Sequence, residues 1–528
     1  MGCGIRAITG TGRDVRIEGD ATHPANGGLL CPRAQVLAAG ADLEGRLLTP
    51  SMDGRPVRWE KALAQIARRL TAVLDRHGSG SIALHVAGNL LTEDLYVANK
   101  MMKGFLGSAH IHAPAVTGVA RAVQRVAYGE DVMPATFEDM ERADTILLIG
   151  AGLEAAHPVL VERMQAARAQ SGARLIVIVP EGEDVPGDID LILPVPEGAA
   201  ARLLGGALLH LHDSGSVSAQ VHQPPDYWDA LRVGRDIWSV ARACGLSPSM
   251  VRHFYDLWSG AGRIVTLIDE DMGQAALAAA VDLHLAAGRI GRAGDAPFIL
   301  TRASNAMGAR EVDCTADRLA AHRGFDAGAQ ADVARFWGAR RLAQKPGLES
   351  EALLQAMAAG EVRALWSIGS DPAAEEWLAE ARAIVPLSIR QTTWESEAQG
   401  WSVALPSAAW VEKDGTVTGM DRLVSRHRRL FDLPGEAKPD WWMITKVAQV
   451  MGWGDAFHYE RPADIYREHV RLTAYRNGDE RVLNLKRHAP ISNPAYDELT
   501  PWRWGEVPFD EGRFPTPDGQ ATLVSPVS

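Results

Sequence analysis

Apolar and polar positions along this chain follow two alternating periods. Residues 14–18 alternate polar and apolar, the period of a strand with one wet face, and predict a small β domain over residues 1–50. From Trp59 the spacing becomes helical, with Leu63, Ile66, Leu70 and Leu74 on one stripe. A short apolar run at 81–86 follows, and residues 93–106 are helical again. Strand-sized apolar runs recur at 145–149, 174–179, 189–194, 263–268 and 363–368, with helical patterns at 157–169 and 199–212. Short buried-type strands separated by helices predict an α/β fold of parallel, doubly wound sheets with helices on both faces. Residues 213–240 and 470–528 are weaker in pattern, and the second stretch, rich in Pro, Trp and Arg, reads as irregular surface structure.

Size and composition narrow the function classes. A chain of 528 residues exceeds what one core serves, so several domains are expected. The net charge of −12 argues against a nucleic-acid partner. Four cysteines, Cys3, Cys31, Cys244 and Cys314, are too few for a disulfide framework and suit a reducing compartment. Arg6, Arg13, Asp14 and Arg16 interrupt any leader-like apolar run, and no stretch approaches the ~20 apolar residues of a membrane span. The expectation is a cytoplasmic protein.

Candidate chemistry gathers at strand ends. Three glycine-bearing turns, 150–152, 271–274 and 369–372, each follow a predicted strand. In a doubly wound sheet ligands sit at the carboxyl ends of strands, and glycine lets a phosphate approach backbone N–H groups. One such turn is as well read as a tight turn; three favour a large phosphate-bearing ligand. Cys3 and Cys31 are either small buried hydrophobes or a thiolate pair, and two thiolates do not complete a four-iron cluster. Cys244 and Cys314 fall in α/β territory and read as structural. His110 and His112 read as a metal pair or as part of a loop between α/β units.

Taken together, the residues resemble the molybdopterin oxidoreductases, and among them the assimilatory nitrate reductases. Gly2-Cys3-Gly4-Ile5 resembles the end of the family's opening cysteine run, and Cys31, within 28–33, stands where its fourth cluster cysteine falls. Residues 91–100 with Lys103 and Gly104 match a family helix, and further matches run through 138–144, 157–160, 288–292, 305–311, 336–338, 345–347, 409–418, 439–442 and 514–519. The resemblance implies a remnant iron–sulfur domain over 1–50 and a first α/β domain over 51–112 and 301–410. It also implies a second α/β domain inserted over 113–300 and an extension over 411–528 packed on the N-terminal domain, with the family's C-terminal β-barrel absent.

The implied cofactors are molybdopterin guanine dinucleotide carrying molybdenum and an iron–sulfur cluster. Cys3 and Cys31 would be metal ligands, and Arg33 would take the place of an electron-transfer lysine. Gly150, Gly152, Glu154, Gly273, Gln274, Gly369, Asp371 and Pro372 would contact the dinucleotide. The implied activity is reduction of a small oxyanion such as nitrate, with an electron-donor protein or a second redox subunit as partner.

The chain departs from that pattern in several places. Two cluster cysteines are missing, and Met1 stands where relatives carry a valine, whose GTG codon can also start translation. The molybdenum-ligating cysteine should fall within 111–118, and none occurs near Val116. Gly152 replaces an asparagine, 180–182 replaces a basic turn with one containing Glu181, and Arg390 stands near a guanine-reading aspartate. A glutamate in place of a cation repels pyrophosphate. The chain stops at Ser528, where the barrel should begin. These changes carry a second expectation, a non-catalytic, cofactor-poor paralogue acting as a scaffold or partner subunit.

Overall fold

The computed structural model describes residues 2–116, 118–183, 185 and 187–524. Met1, Thr117 and Ser528, which fall within the departures above, lie outside the described residues.

The alternating N-terminal stretch forms an antiparallel hairpin, Ile5–Thr9 with Val15–Gly19, followed by the helix Arg33–Ala39. Asn26 fastens its entry: Asn26 Oδ1 accepts the Gly4 N–H at 2.8 Å, and Asn26 Nδ2 donates to the Gly4 carbonyl at 3.0 Å.

Two parallel sheets follow. The larger runs, in spatial order, Arg55–Pro56, Ser51–Met52, Val403–Pro406, Leu387–Thr392, Ala364–Ile368, Ile82–Val86 and Ile111–His112. Its edge pair at 51–56 is antiparallel; the other strands run parallel. The smaller sheet runs Ala296–Leu300, Ile264–Asp269, Thr145–Ile149, Arg174–Pro180 and Leu191–Val195, all parallel. The whole smaller sheet lies in sequence between Ile111–His112 and Ala364–Ile368 of the larger one. Central strands such as Ile82–Val86, Thr145–Ile149 and Ala364–Ile368 are buried throughout, which is why they read as unbroken apolar runs.

Helices cover both sheets. Trp59–His77 buries its Leu63, Ile66, Leu70 and Leu74 stripe and ends at Gly78, whose φ of 81° closes the helix. The helix Thr92–Asn99 passes into a π-helical stretch, Lys100–Leu106, and both are buried throughout. Lys103 is held there by the carbonyls of Asp313, Arg318 and Leu319.

Residues 411–524 contribute to three cores. Val411 packs with Val15 and Ala41 of the N-terminal segment, Trp441 and Ile444 join the core of the larger sheet, and Tyr496, Trp504 and Phe514 join that of the smaller.

Candidate functional site at the two switch points

In the larger sheet the chain runs outward from Ile82–Val86 to Ile111–His112, then resumes on the other side of Ile82–Val86 at Ala364–Ile368 and winds the opposite way. In the smaller sheet the corresponding reversal lies between Thr145–Ile149 and Ile264–Asp269. Where winding reverses, adjacent strand ends splay and leave a crevice, the usual ligand position in open α/β sheets.

At the first switch point a cavity of about 810 Å³ opens beyond Asn89 and the Gly369–Ser370 turn. Cys3, Cys31, Arg33, Trp394, Trp410 and Lys413 also line it. Gly369 has φ 82°, and a Cβ there would stand 2.9 Å from Ala87 Cβ, so only glycine fits. Arg33 is exposed and donates to the carbonyls of Ala155 and Ala156 at 3.5 Å, with no carboxylate partner among the described residues. Lys413 is neutralised by Asp440 at 2.5 Å and Asp94 at 3.6 Å. Burial pushes the Cys3 thiol up, and the nearness of Cys31 adds to that.

The Gly369–Pro372 turn is locked from behind. Arg390 is buried and donates to Ser367 at 2.6 Å, Glu375 at 2.8 Å and Glu397 at 3.0 Å. Glu397 also accepts the Ser370 hydroxyl at 2.8 Å. Asp371 faces His85 at 3.7 Å, whereas Pro372 is exposed.

Gly150, Gly152, Glu154, Gly273 and Gln274 stand at the second switch point, and none of them lines the cavity. A Cβ on Gly152 or Gly273 would meet nothing within 4 Å, so both turns are open. The Gly152 N–H donates to Glu183 Oε1 at 2.8 Å. Glu181 instead turns toward Gly245, 3.0 Å from where that glycine's Cβ would stand. Asp269 and Asp271 share Arg302, at 3.2 and 3.0 Å. The segment carrying Ala115 sits on the first switch point, since a Cβ on Gly88 would stand 2.6 Å from Ala115 Cβ.

The histidine pair has a structural task. His110 Nδ1 accepts the Leu348 N–H at 2.8 Å, and His112 Nδ1 accepts the Ser350 N–H at 3.3 Å while its ring stacks on Trp377 at 3.9 Å. Burial pushes His112 down to about 3. Cys244 and Cys314 are buried, and burial pushes their thiols to about 11 and about 12. Sequence reasoning missed Asn89, Lys413 and Glu183. Asn89 was within reach of it, since it follows a predicted strand; the other two owe their places to tertiary contacts.

Residues 46–450 match the family model described as molybdopterin oxidoreductase, and residues 1–39 match that of the molybdopterin oxidoreductase Fe4S4 domain. The chain belongs to the molybdopterin oxidoreductase family. It is 38% identical over 526 residues to a nitrate reductase of Klebsiella oxytoca, covering 96% of this chain and 60% of that protein. It is 33% identical to a nitrate reductase of Shewanella frigidimarina, covering 100% of this chain and again 60% of the relative. The chain thus spans about three-fifths of the length of these nitrate reductases. The fold is similar to that of acetylene hydratase from Pelobacter acetylenicus, with a TM-score of 0.75 at 16% identity, covering 99% of this chain and 76% of that one.

Membership implies a molybdenum-bearing pterin and a four-iron cluster. The cavity fits the first: it has the volume of a sizeable ligand, a glycine turn at a switch point and, in its lining, the Arg33 guanidinium, which has no carboxylate partner among the described residues. The cluster's ligand set is half present, as Cys3 and Cys31. Among the described residues no group of three or more His, Cys, Asp or Glu side chains is placed to hold a metal ion. Likewise, among the described residues, no helix is long and apolar enough to cross a membrane.

Proposed function

We propose that this chain is the pterin-holding part of a reductase of the nitrate reductase type, acting on a small oxyanion such as nitrate. The observation that carries the reading is the cavity at the first switch point, whose lining brings Asn89 and Gly369 together with Cys3, Cys31 and Arg33. When bound, the molybdenum-bearing pterin supplies two-electron oxygen-atom exchange. The chain's own residues do the rest. Gly369 takes a turn that a side chain would not allow, and Glu397 and Arg390 hold the neighbouring Ser370 in place. Arg33 supplies positive charge toward an anionic ligand, and Trp394, Trp410 and Leu37 keep water from the cavity wall. Electrons come from an electron-donor protein or a second redox subunit, in the reducing cytoplasm that the absence of a disulfide framework suits. A reduced-viologen assay on the purified full chain tests the reading: nitrate-dependent dye oxidation supports it, and its absence in molybdenum-loaded protein contradicts it.

One observation favours a second reading, the cofactor-poor paralogue. The Glu183 carboxylate stands at the Gly152 N–H where a ligand phosphate would dock. If that contact governs, Glu183→Ala raises the affinity for guanosine monophosphate and the wild-type chain binds none. Equal binding by both proteins removes this support.

A further inference from the structure

Two turns far apart in sequence, residues 318–324 and 475–483, bring arginines to one place. Glu130 clamps them together. Its Oε1 meets His322 Nδ1 at 2.6 Å and accepts the Leu483 N–H at 3.0 Å, and its Oε2 accepts the Val482 N–H at 2.6 Å. Arg323 follows His322 and Arg481 precedes Val482, so the clamp joins the chain at these two arginines. Arg318 lies beside them: its Nη2 donates to the His322 carbonyl, and its Nη1 stands 3.3 Å from where a Cβ on Gly324 would be. Asn477 stiffens the second turn, accepting the Arg481 N–H at 3.0 Å and donating to the Leu483 carbonyl at 3.0 Å.

These guanidiniums have donors to spare. Arg323 is 4% exposed; its Nη2 donates to the Tyr475 carbonyl, whereas its Nη1 is sealed from solvent with no partner among the described residues. Arg481 is half-buried, and its Nε and Nη2 are sealed and without a partner in the same way. Those two nitrogens form one edge of the guanidinium, the fork that meets two oxygens of one oxyanion. The carboxylates close by are already engaged or exposed: Asp332 pairs with Arg476 at 3.1 Å, Glu130 holds the clamp, and Glu480 is exposed. Burial, and then the charge of Arg481, push Arg323 down to about 10. Buried donors without acceptors are costly, and like charges brought together add repulsion. A multiply charged anion with several acceptor oxygens removes both costs.

We propose that Arg318, Arg323 and Arg481 form a binding site for a tetrahedral oxyanion of the phosphate class, which fastens the 475–483 turn to the 318–324 turn. The inference stands apart from the reductase reading and from the cavity at the first switch point. Three cations suit a doubly charged ion better than a singly charged one such as nitrate.

The test melts full-chain wild type, Arg481→Met and Arg481→Lys in phosphate, sulfate, nitrate and chloride at equal ionic strength. Wild type should melt several degrees higher in phosphate or sulfate than in chloride or nitrate. Arg481→Met keeps the apolar stem and removes the fork. It should match or exceed wild type in chloride, because an unpaired charge is gone, and should lose the gain in phosphate. Arg481→Lys should keep part of that gain. Phosphorus NMR line broadening of inorganic phosphate should give an affinity that falls roughly tenfold or more in Arg481→Met. Displacement of phosphate by glycerol phosphate assigns the site to phosphate esters, and failure to displace it assigns the site to the free ion; either supports a phosphate site. A wild-type chain that melts alike in phosphate and chloride overturns the inference. An equal gain in Arg481→Met also overturns it, by placing the bound ion elsewhere in the chain.

Discussion

The Tyr496 hydroxyl donates to Glu93 Oε1 at 2.7 Å, joining residues 403 positions apart. Thr416 adds its N–H to Oε2 at 2.7 Å and its hydroxyl to Oε1 at 3.0 Å, so one buried carboxyl ties the helix Thr92–Asn99 to two later segments. Burial pushes Glu93 up to about 7 from an ordinary 4.5, against the pull of its hydrogen bonds. Folding therefore favours the protonated form. That stabilisation is complete below the ordinary value and is lost as pH rises through about 7. Glu93→Gln cannot ionise. Its stability relative to wild type should rise by about 3 kcal/mol between roughly pH 4 and pH 8, measured by urea unfolding at both. A difference that does not change with pH would contradict this.

Asp131 fixes the helix Val119–Tyr128 against the helix Ala306–Val312. It accepts from Arg310 Nε at 2.8 Å and Arg121 Nε at 3.1 Å, with all three side chains buried. Burial alone would push its carboxyl up, but the two guanidiniums hold it well below the usual range. Asp131→Ala leaves both cations without this partner in the interior and should cost about 3–5 kcal/mol in chemical unfolding. A loss under about 1 kcal/mol would place the strength of this junction elsewhere.

Much of this architecture was legible in the chain. The apolar runs at 81–86, 145–149, 174–179, 263–268 and 363–368 became the buried strands Ile82–Val86, Thr145–Ile149, Arg174–Pro180, Ile264–Asp269 and Ala364–Ile368. Strands buried on both faces have no polar alternation to blur them. The glycine turns were legible because Gly150, Gly152, Gly273 and Gly369 each take a positive φ that other residues avoid. The pattern at 93–106 gave a helix without showing that it turns π-helical at Lys100. Helices in the weakly patterned stretches, such as Tyr227–Arg232 and Ile237–Ala243, are too short for periodicity to reveal. Cys3, Cys31, Arg33 and Gly369 share one cavity, whereas Gly150 and Gly273 stand at the other switch point. Spacing in sequence carries no information on which crevice a strand end faces. Glu183 was hidden for the same reason: in sequence it is one acid among many in turns.

Gly369→Ala should lower pterin content several-fold. The new Cβ would stand 2.9 Å from Ala87 Cβ at a φ of 82°, so the turn must shift where the proposed ligand rests. Unfolding measurements should show a loss of about 1 kcal/mol or more, and fluorescence of the oxidised pterin extract reports the binding. Unchanged pterin content would exclude this turn as a cofactor contact.

Arg33→Ala should weaken retention of an anionic ligand in the cavity while leaving stability within about 0.5 kcal/mol, because the side chain is exposed and its hydrogen bonds are long. Pterin retained after gel filtration measures the first effect and thermal unfolding the second. Undiminished retention would show that this charge does not serve the cavity.

The central claim, that the cavity at the first switch point holds a molybdenum-bearing pterin, is tested most directly by cofactor content. The full chain should be purified from a host that makes the pterin, beside the Klebsiella oxytoca relative prepared identically. Molybdenum by mass spectrometry and pterin by fluorescence should both be present in this chain and should fall together in Gly369→Ala. A chain free of both, from a preparation in which the relative is fully loaded, would contradict the account.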